Sequence, residues 1–134
     1  MVTIYRFLEG ELTHLELNDV LKLKPNDLGE GMLWIDLFQP SVQEEQHVLT
    51  EWLGVNELVL QDARQADPSN EEGEMHFPKV EEYEDYLFII IRGAMIPERV
   101  GHEKVADVLE RITGAQLNLF LNKNVLITHR WIDM

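Results

Sequence analysis

The side chains of this chain that could do chemistry are its histidines and its surplus of carboxylates. The five histidines, His14, His47, His76, His102 and His129, are scattered singly. None stands four residues from another, the spacing at which two imidazoles on one helix clamp a metal. Each is therefore read as a surface or internally satisfied polar group, and His76 is set apart only because Glu71, Glu72 and Glu74 share its stretch. Cysteine is absent, which removes thiolate metal sites, disulfides and cysteine nucleophiles together and suits a reducing compartment. There is no glycine-rich phosphate loop, no Gly-x-Ser-x-Gly elbow and no His-Glu-x-x-His pair, so the expectation is that the chain is not an enzyme.

Three carboxylate groups remain. Glu71, Glu72 and Glu74 sit in a loop-like stretch, 66–77, and read as solvated charge. Glu81, Glu82, Glu84 and Asp85 flank Tyr83 and Tyr86, and read as charges that guard a sheet edge against unwanted pairing. Asp62 differs from both, because it closes a short helix directly before the acidic stretch. A carboxylate there faces the negative end of the helix dipole, a placement that a cation relieves. Read from its position alone Asp62 is a structural carboxylate before it is a metal residue, and it is the one of these carboxylates kept as a candidate metal residue.

The formal net charge of -14 at pH 7 points the same way. Such a field repels phosphate backbones and anionic lipid headgroups, which disfavours nucleic acid and membrane surfaces as partners, and it attracts cations. Acidic surfaces also simply keep proteins soluble. At 134 residues with 45% hydrophobic content, the chain suits a single domain, 1–134, with a core of its own. The N-terminus carries no basic, apolar and small-residue succession of a secretory signal. The longest apolar run, Tyr86-Leu87-Phe88-Ile89-Ile90-Ile91, is far short of the about 20 residues that a helix needs to span a bilayer, so the chain reads as soluble.

The elements that would position these residues follow from periodicity. Residues 2–8 and 12–17 alternate as a hairpin around Glu9-Gly10, and a short helix is expected over 18–23. The near-continuous apolar run 32–37 predicts a strand buried on both faces. Ser41 with Glu44 forms a capping box that opens a helix over 41–53, with Val42, Val48, Leu49, Trp52 and Leu53 inward and Gly54 as its left-handed end. Asn56 caps a second helix over 57–65, with Leu58, Val59, Leu60 and Ala63 inward. Strands follow at 78–83 and 86–92, a helix at 102–112, and a closing hairpin at 116–121 and 125–128. The expected fold is α/β, a three-layer sandwich of a mixed sheet flanked by helices, with Trp34, Ile35, Leu37, Leu49, Leu53, Phe88, Ile90, Leu119 and Leu126 in the core.

The order of these pieces carries a resemblance. Trp34-Ile35-Asp36-Leu37, a helix, Leu58-Val59-Leu60-Gln61-Asp62, then Pro78-Lys79-Val80-Glu81 leading into the strand at Phe88, resembles the N-terminal domain of CorA-type divalent metal ion transporters. Leu117-Asn118-Leu119-Phe120-Leu121 and Asn124-Val125-Leu126-Ile127-Thr128-His129 look like the family's closing hairpin, so the likeness runs over about 32–130. It implies the cytoplasmic funnel domain of a homopentameric transporter in the cell membrane, whose membrane helices and pore signature lie outside this chain. Asp62 matches the aspartate of the family's regulatory inter-subunit metal site, most simply for Mg2+, with Co2+, Ni2+ or Zn2+ as the other ions the family handles. Mg2+ keeps most of its water and needs only one or two carboxylates. Two departures stand out: Gln61 occupies a position that is acidic in the family pattern, and the stretch 102–112 is longer than the family connection. Without the membrane helices, the isolated chain is expected to associate weakly at most and to bind metal weakly if at all. Two other readings are a free-standing acidic protein-interaction module of the same fold, and a small hydrolase using Asp36, Asp62 and loop carboxylates around a metal.

Overall fold

A computed structural model describes residues 1–65, 77–95 and 113–133 of the chain. The hairpin β1 (Val2–Leu8) and β2 (Glu11–His14) is followed by the short helix α1 (Leu17–Leu21) and by β3 (Met32–Phe38). Helix α2 (Val42–Glu45) runs into a π-helical segment (Gln46–Leu53), and α3 (Glu57–Arg64) follows. Strands β4 (Lys79–Glu82), β5 (Leu87–Met95), β6 (Thr113–Leu121) and β7 (Val125–Arg130) complete the described elements. All seven strands join one sheet in the order β2-β1-β3-β7-β6-β5-β4. Every pairing is antiparallel except β3 with β7. The fold is thus the expected α/β arrangement around a mixed sheet. The helix expected at 102–112 and the acidic stretch that includes His76 lie outside the described residues.

The cap signals in the sequence act as expected. Ser41 Oγ accepts from the Glu44 N–H at 3.1 Å while Glu44 Oε1 accepts from the Ser41 N–H at 2.9 Å. Asn56 Oδ1 accepts from the Val59 N–H, and Gly54 is left-handed at φ 80°. What the sequence does not announce is the change of helix type. Beyond Glu45 the chain winds with one residue more per hydrogen-bonded ring, and the Gly54 N–H returns to the Leu49 carbonyl. Val48, Leu49 and Leu53 are still buried, and the Trp52 indole donates to the Leu23 carbonyl at 2.7 Å. Val42 and Leu58, expected inward, are exposed instead. Both sit in the first turn of their helix, where few neighbours reach them.

Register explains which face of the sheet is inside. Ile4, Ile35, Ile127, Phe120 and Phe88 lie side by side across five strands, and all five are buried. Val20, Leu49, Leu60 and Ala63 from the helices join the same cluster, so the described helices pack on this one face. The side chains one residue away point to the opposite face because strand alternation has a period of two. There Trp34 is 44% exposed and Val80 66% exposed, and Leu119 and Leu126 are half-buried. Trp34, Leu119 and Leu126, expected in the core, therefore all err in the same way: they belong to the face that the described helices leave open. For the same reason β3 is not buried on both faces, since Met32 and Trp34 look outward.

This assignment of faces has a measurable consequence. Phe120→Ala should destabilise the domain by about 3–5 kcal/mol, the usual cost of emptying an aromatic site in a core, whereas Leu119→Ala beside it should cost roughly 1 kcal/mol. Urea unfolding of the two variants tests it, and equal losses would mean that the open face is as well covered as the helical one.

Candidate functional site

Asp62 lies in the last turn of α3, with its side chain about a quarter exposed. Its backbone carbonyl accepts from the Gln116 amide of β6, which ties the helix end to the sheet. Its carboxylate meets an unexpected neighbour: Asp62 Oδ2 accepts a charge-assisted hydrogen bond from Lys79 Nζ at 2.8 Å. Lys79 also pairs with Glu81. Both β4 residues lie on the helix-covered face, because Lys79 stands opposite the buried Ile90 and Glu81 opposite the buried Phe88. Glu81 in turn accepts from the Tyr83 hydroxyl at 2.6 Å, and that bond pushes the Tyr83 pKa up to about 12. Burial works against the charge on Lys79, yet its bonds to Asp62 and Glu81 outweigh that and raise its pKa. One ammonium thus bridges two carboxylates at the helix end where an unfavourable dipole interaction was expected.

Carboxylate oxygens suit a hard cation such as Mg2+, but among the described residues this donor set does not form a metal centre. The two acids converge on an amine, and among the described residues no group of three or more His, Asp or Glu side chains could hold an ion. Glu82, Glu84 and Asp85 are exposed on or beside β4, which is an edge strand of the sheet, as their reading as edge guards requires.

Asp36 is on the other face. Arg130 grips it with two bonds, Nε to Oδ1 at 3.2 Å and Nη2 to Oδ2 at 2.9 Å, and the Thr128 hydroxyl donates to Oδ1 at 2.6 Å. Burial pushes the Asp36 pKa up, but these bonds prevail and hold it below the ordinary carboxylate value. The Trp34 indole donates to Thr128, and Tyr5 stacks on Trp34 with ring centroids 5.3 Å apart. Together these side chains line an open cleft of about 400 Å³. Asp36 and Asp62 therefore sit on opposite sides of the sheet and cannot share a metal, which removes the arrangement a hydrolase built on both would need.

A third polar group is entirely inside. Glu45, from the end of α2, is buried and bonds His129 Nε2 at 2.8 Å and Arg64 Nε at 2.9 Å. Gln116 donates to Asn118 Oδ1, so the Asn118 amide turns its N–H groups toward the Ala63 carbonyl and His129 Nδ1. Nδ1 accepts, and Nε2 carries the hydrogen donated to Glu45. His129 is thus the satisfied polar histidine expected, while His47 pairs on the surface with Glu51 at 3.0 Å. Sequence reasoning missed Lys79, Arg130 and Glu45. Only Lys79 left a usable signal, since period-two alternation puts it on one face with Glu81.

The Glu45 network makes a pH prediction. Burial raises the Glu45 pKa, but the bonds from His129 and Arg64 outweigh it and leave the carboxyl below its ordinary value of 4.5. A group with a depressed folded pKa binds fewer protons folded than unfolded, so its stabilisation is full above the unfolded pKa and is lost as pH falls through the folded one. Glu45→Gln should lower stability at pH 7 and also flatten its fall below about pH 4.5, Asp36 and Glu44 supplying the slope that remains. Denaturant titrations from pH 7 to pH 3 read both effects, and an unchanged slope would remove Glu45 from the acid response.

The geometry can be set beside known proteins. The family model described as CorA-like Mg2+ transporter protein matches residues 29–133. No curated protein matches the chain. Among solved structures, the soluble domain of CorA from Methanocaldococcus jannaschii aligns with a TM-score of 0.56 at 22% identity, over 97% of this chain and 41% of that one. The full-length CmaX protein aligns with a TM-score of 0.62 at 19% identity, over 98% of this chain and 35% of that one. The chain thus spans less than half the length of either structure, and at these identities the likeness is one of fold. With the family model covering the sheet from β3 to β7, the chain belongs to the CorA-like Mg2+ transporter family.

Proposed function

We propose that this chain is the cytoplasmic regulatory domain of a CorA-like divalent cation transporter, with Mg2+ as the transported ion. The observation that carries the reading is the family match over 29–133, which takes in both Asp62 and the strand that holds its lysine partner. In this reading the domain works in a pentamer, and Asp62 contributes to a divalent-cation site completed by a neighbouring subunit. Two features favour a domain inside a larger assembly over a free-standing module. The chain matches less than half of each solved relative. The sheet face opposite the helices also leaves Met32, Trp34, Val80 and Ile91 exposed, and apolar side chains gathered on one face are what interaction surfaces present. Among the described residues no helix is long and apolar enough to cross a membrane. No catalytic role is proposed for any residue.

The reading is tested in the complete transporter reconstituted in vesicles, by comparing ion flux of the wild type and Asp62→Ala as Mg2+ on the domain's side is raised. Closure should need more Mg2+ in the variant while the open pore still conducts. Closure with the same Mg2+ dependence removes Asp62 from regulation, and lost conduction with normal expression means its role is elsewhere.

A further inference from the structure

The sheet face that the described helices leave open is apolar and nearly neutral, in a chain whose formal net charge is -14. We propose that this face is an interaction surface for a second copy of the chain. The two sheets pack face to face about a two-fold axis that runs along the central strand β7. Weak association follows from the lack of membrane helices only if the domain itself offers no contact, and this face is one. The contact goes beyond the transporter reading and leaves it standing, because the Asp62–Lys79 pair lies on the other side of the sheet.

Strand alternation and register define the face. Asp36 of β3 and Arg130 of β7 both lie on it, and they already neutralise each other. Glu82, on the edge strand β4, is the one further acid that the described strands place there. Two copies of so acidic a chain repel across most of their surfaces, whereas here they meet without burying an unpaired charge at the centre. The distribution of side chains suits a two-fold as well. β7 is the middle strand of the seven. To one side of it the face carries the aromatic rings of Tyr5, Phe7, Trp34 and Phe38. To the other side it is aliphatic, with Leu119 of β6 and Ile89 and Ile91 of β5. Rotation about β7 lays the aromatic half of each copy on the aliphatic half of the other, which gives the self-complementary patch that an isologous contact requires. Phe7 and Trp34 are exposed, whereas Leu119 and Ile89 are half-buried, so projecting rings meet a lower surface. The size also fits. Seven strands about 4.8 Å apart and about 20 Å long give a plan area of roughly 650 Å². The accessible area of so uneven a surface is larger and reaches the ~800 Å² per partner of a standard stable interface.

The test is sedimentation velocity on the 134-residue chain over a range of concentrations. The wild type should show a reversible monomer–dimer equilibrium in which the dimer prevails by about 100 µM. Met32→Glu and Ile91→Glu, one in each half of the face, should each weaken the dimer at least about 100-fold, because each buries a carboxylate without a partner. Leu58→Glu, at an equally open position on α3, should dimerise like the wild type. Added salt should tighten the dimer, since it screens the repulsion between two acidic copies. A chain that stays monomeric throughout overturns the proposal, as does an assembly that stops at a number other than two. Dissociation by Leu58→Glu in place of the face variants, or by salt, overturns it equally. If the glutamate variants lose their fold by circular dichroism, methyl NMR of the wild type on dilution decides. Leu119 and Ile89 signals should shift with concentration while those of Leu49 and Leu60, in the core on the helical side, stay fixed. Stationary Leu119 and Ile89 signals overturn the proposal.

Discussion

The parallel pairing of β3 with β7 is the contact on which the other features depend. It joins residues 33–38 to residues 125–130, so α2, α3 and strands β4 to β6 all lie between its two partners. A parallel pair cannot be closed by a tight turn and needs a crossover. Here the crossover contains α2, the π-helical segment, α3 and the β4–β6 meander, whereas α1 precedes β3. The same pairing sets Asp36 beside Thr128 and, one step along, brings Arg130 within reach of both Asp36 oxygens. On the covered side it places His129 beneath the end of α2, where Glu45 is waiting. Two ion-paired groups, one on each face, thus hang from a single strand register.

Buried and half-buried charge in this domain is handled throughout by internal pairing. Glu45 is paired with Arg64 and takes a further hydrogen bond from His129, Asp36 is paired with Arg130, and Asp62 and Glu81 both contact Lys79. Breaking such pairs is costly because a desolvated charge is left behind, more than because the pair itself contributes much. The three differ in accessibility. Glu45 is sealed in the core and Asp36 is clamped by a bidentate guanidinium, whereas Asp62 is held by a flexible amine at a sheet edge. Of the three carboxylates, Asp62 is the most exposed.

The family relation and the open sheet face have a common physical sense. A sheet with Phe120, Phe88 and Ile35 packed under helices on one side and Trp34, Ile91 and Val80 outward on the other is complete as a fold but not as a surface. The solved structures of the same fold are more than twice as long as this chain.

Local chemistry was enough to read many elements directly from the residues. The Ser41–Glu44 capping box, the Asn56 cap, the left-handed Gly54 and the turn built on Asn122 depend on side chains within a few positions of the backbone groups they serve. The strands followed from β-branched and aromatic runs, and the ordered set of segments was enough to suggest the family. Three things could not be read this way. Which face of an all-apolar strand is buried depends on what packs against it, so Trp34, Leu119 and Leu126 looked as internal as Ile35, Phe120 and Ile127. The π-helical winding after Glu45 has no pattern of its own, since Val48, Leu49, Trp52 and Leu53 suit an α-helix equally well. The partner of Asp62 was hidden because Lys79 lies 17 positions away in the chain, and a salt bridge across that distance exists only once the end of α3 is docked on the sheet beside β4. The sequence by itself determined the elements and the residue types at the site. Tertiary packing decided which charges meet, because charge pairing is a matter of distance in space, and that distance is set by the register of strands remote in the chain.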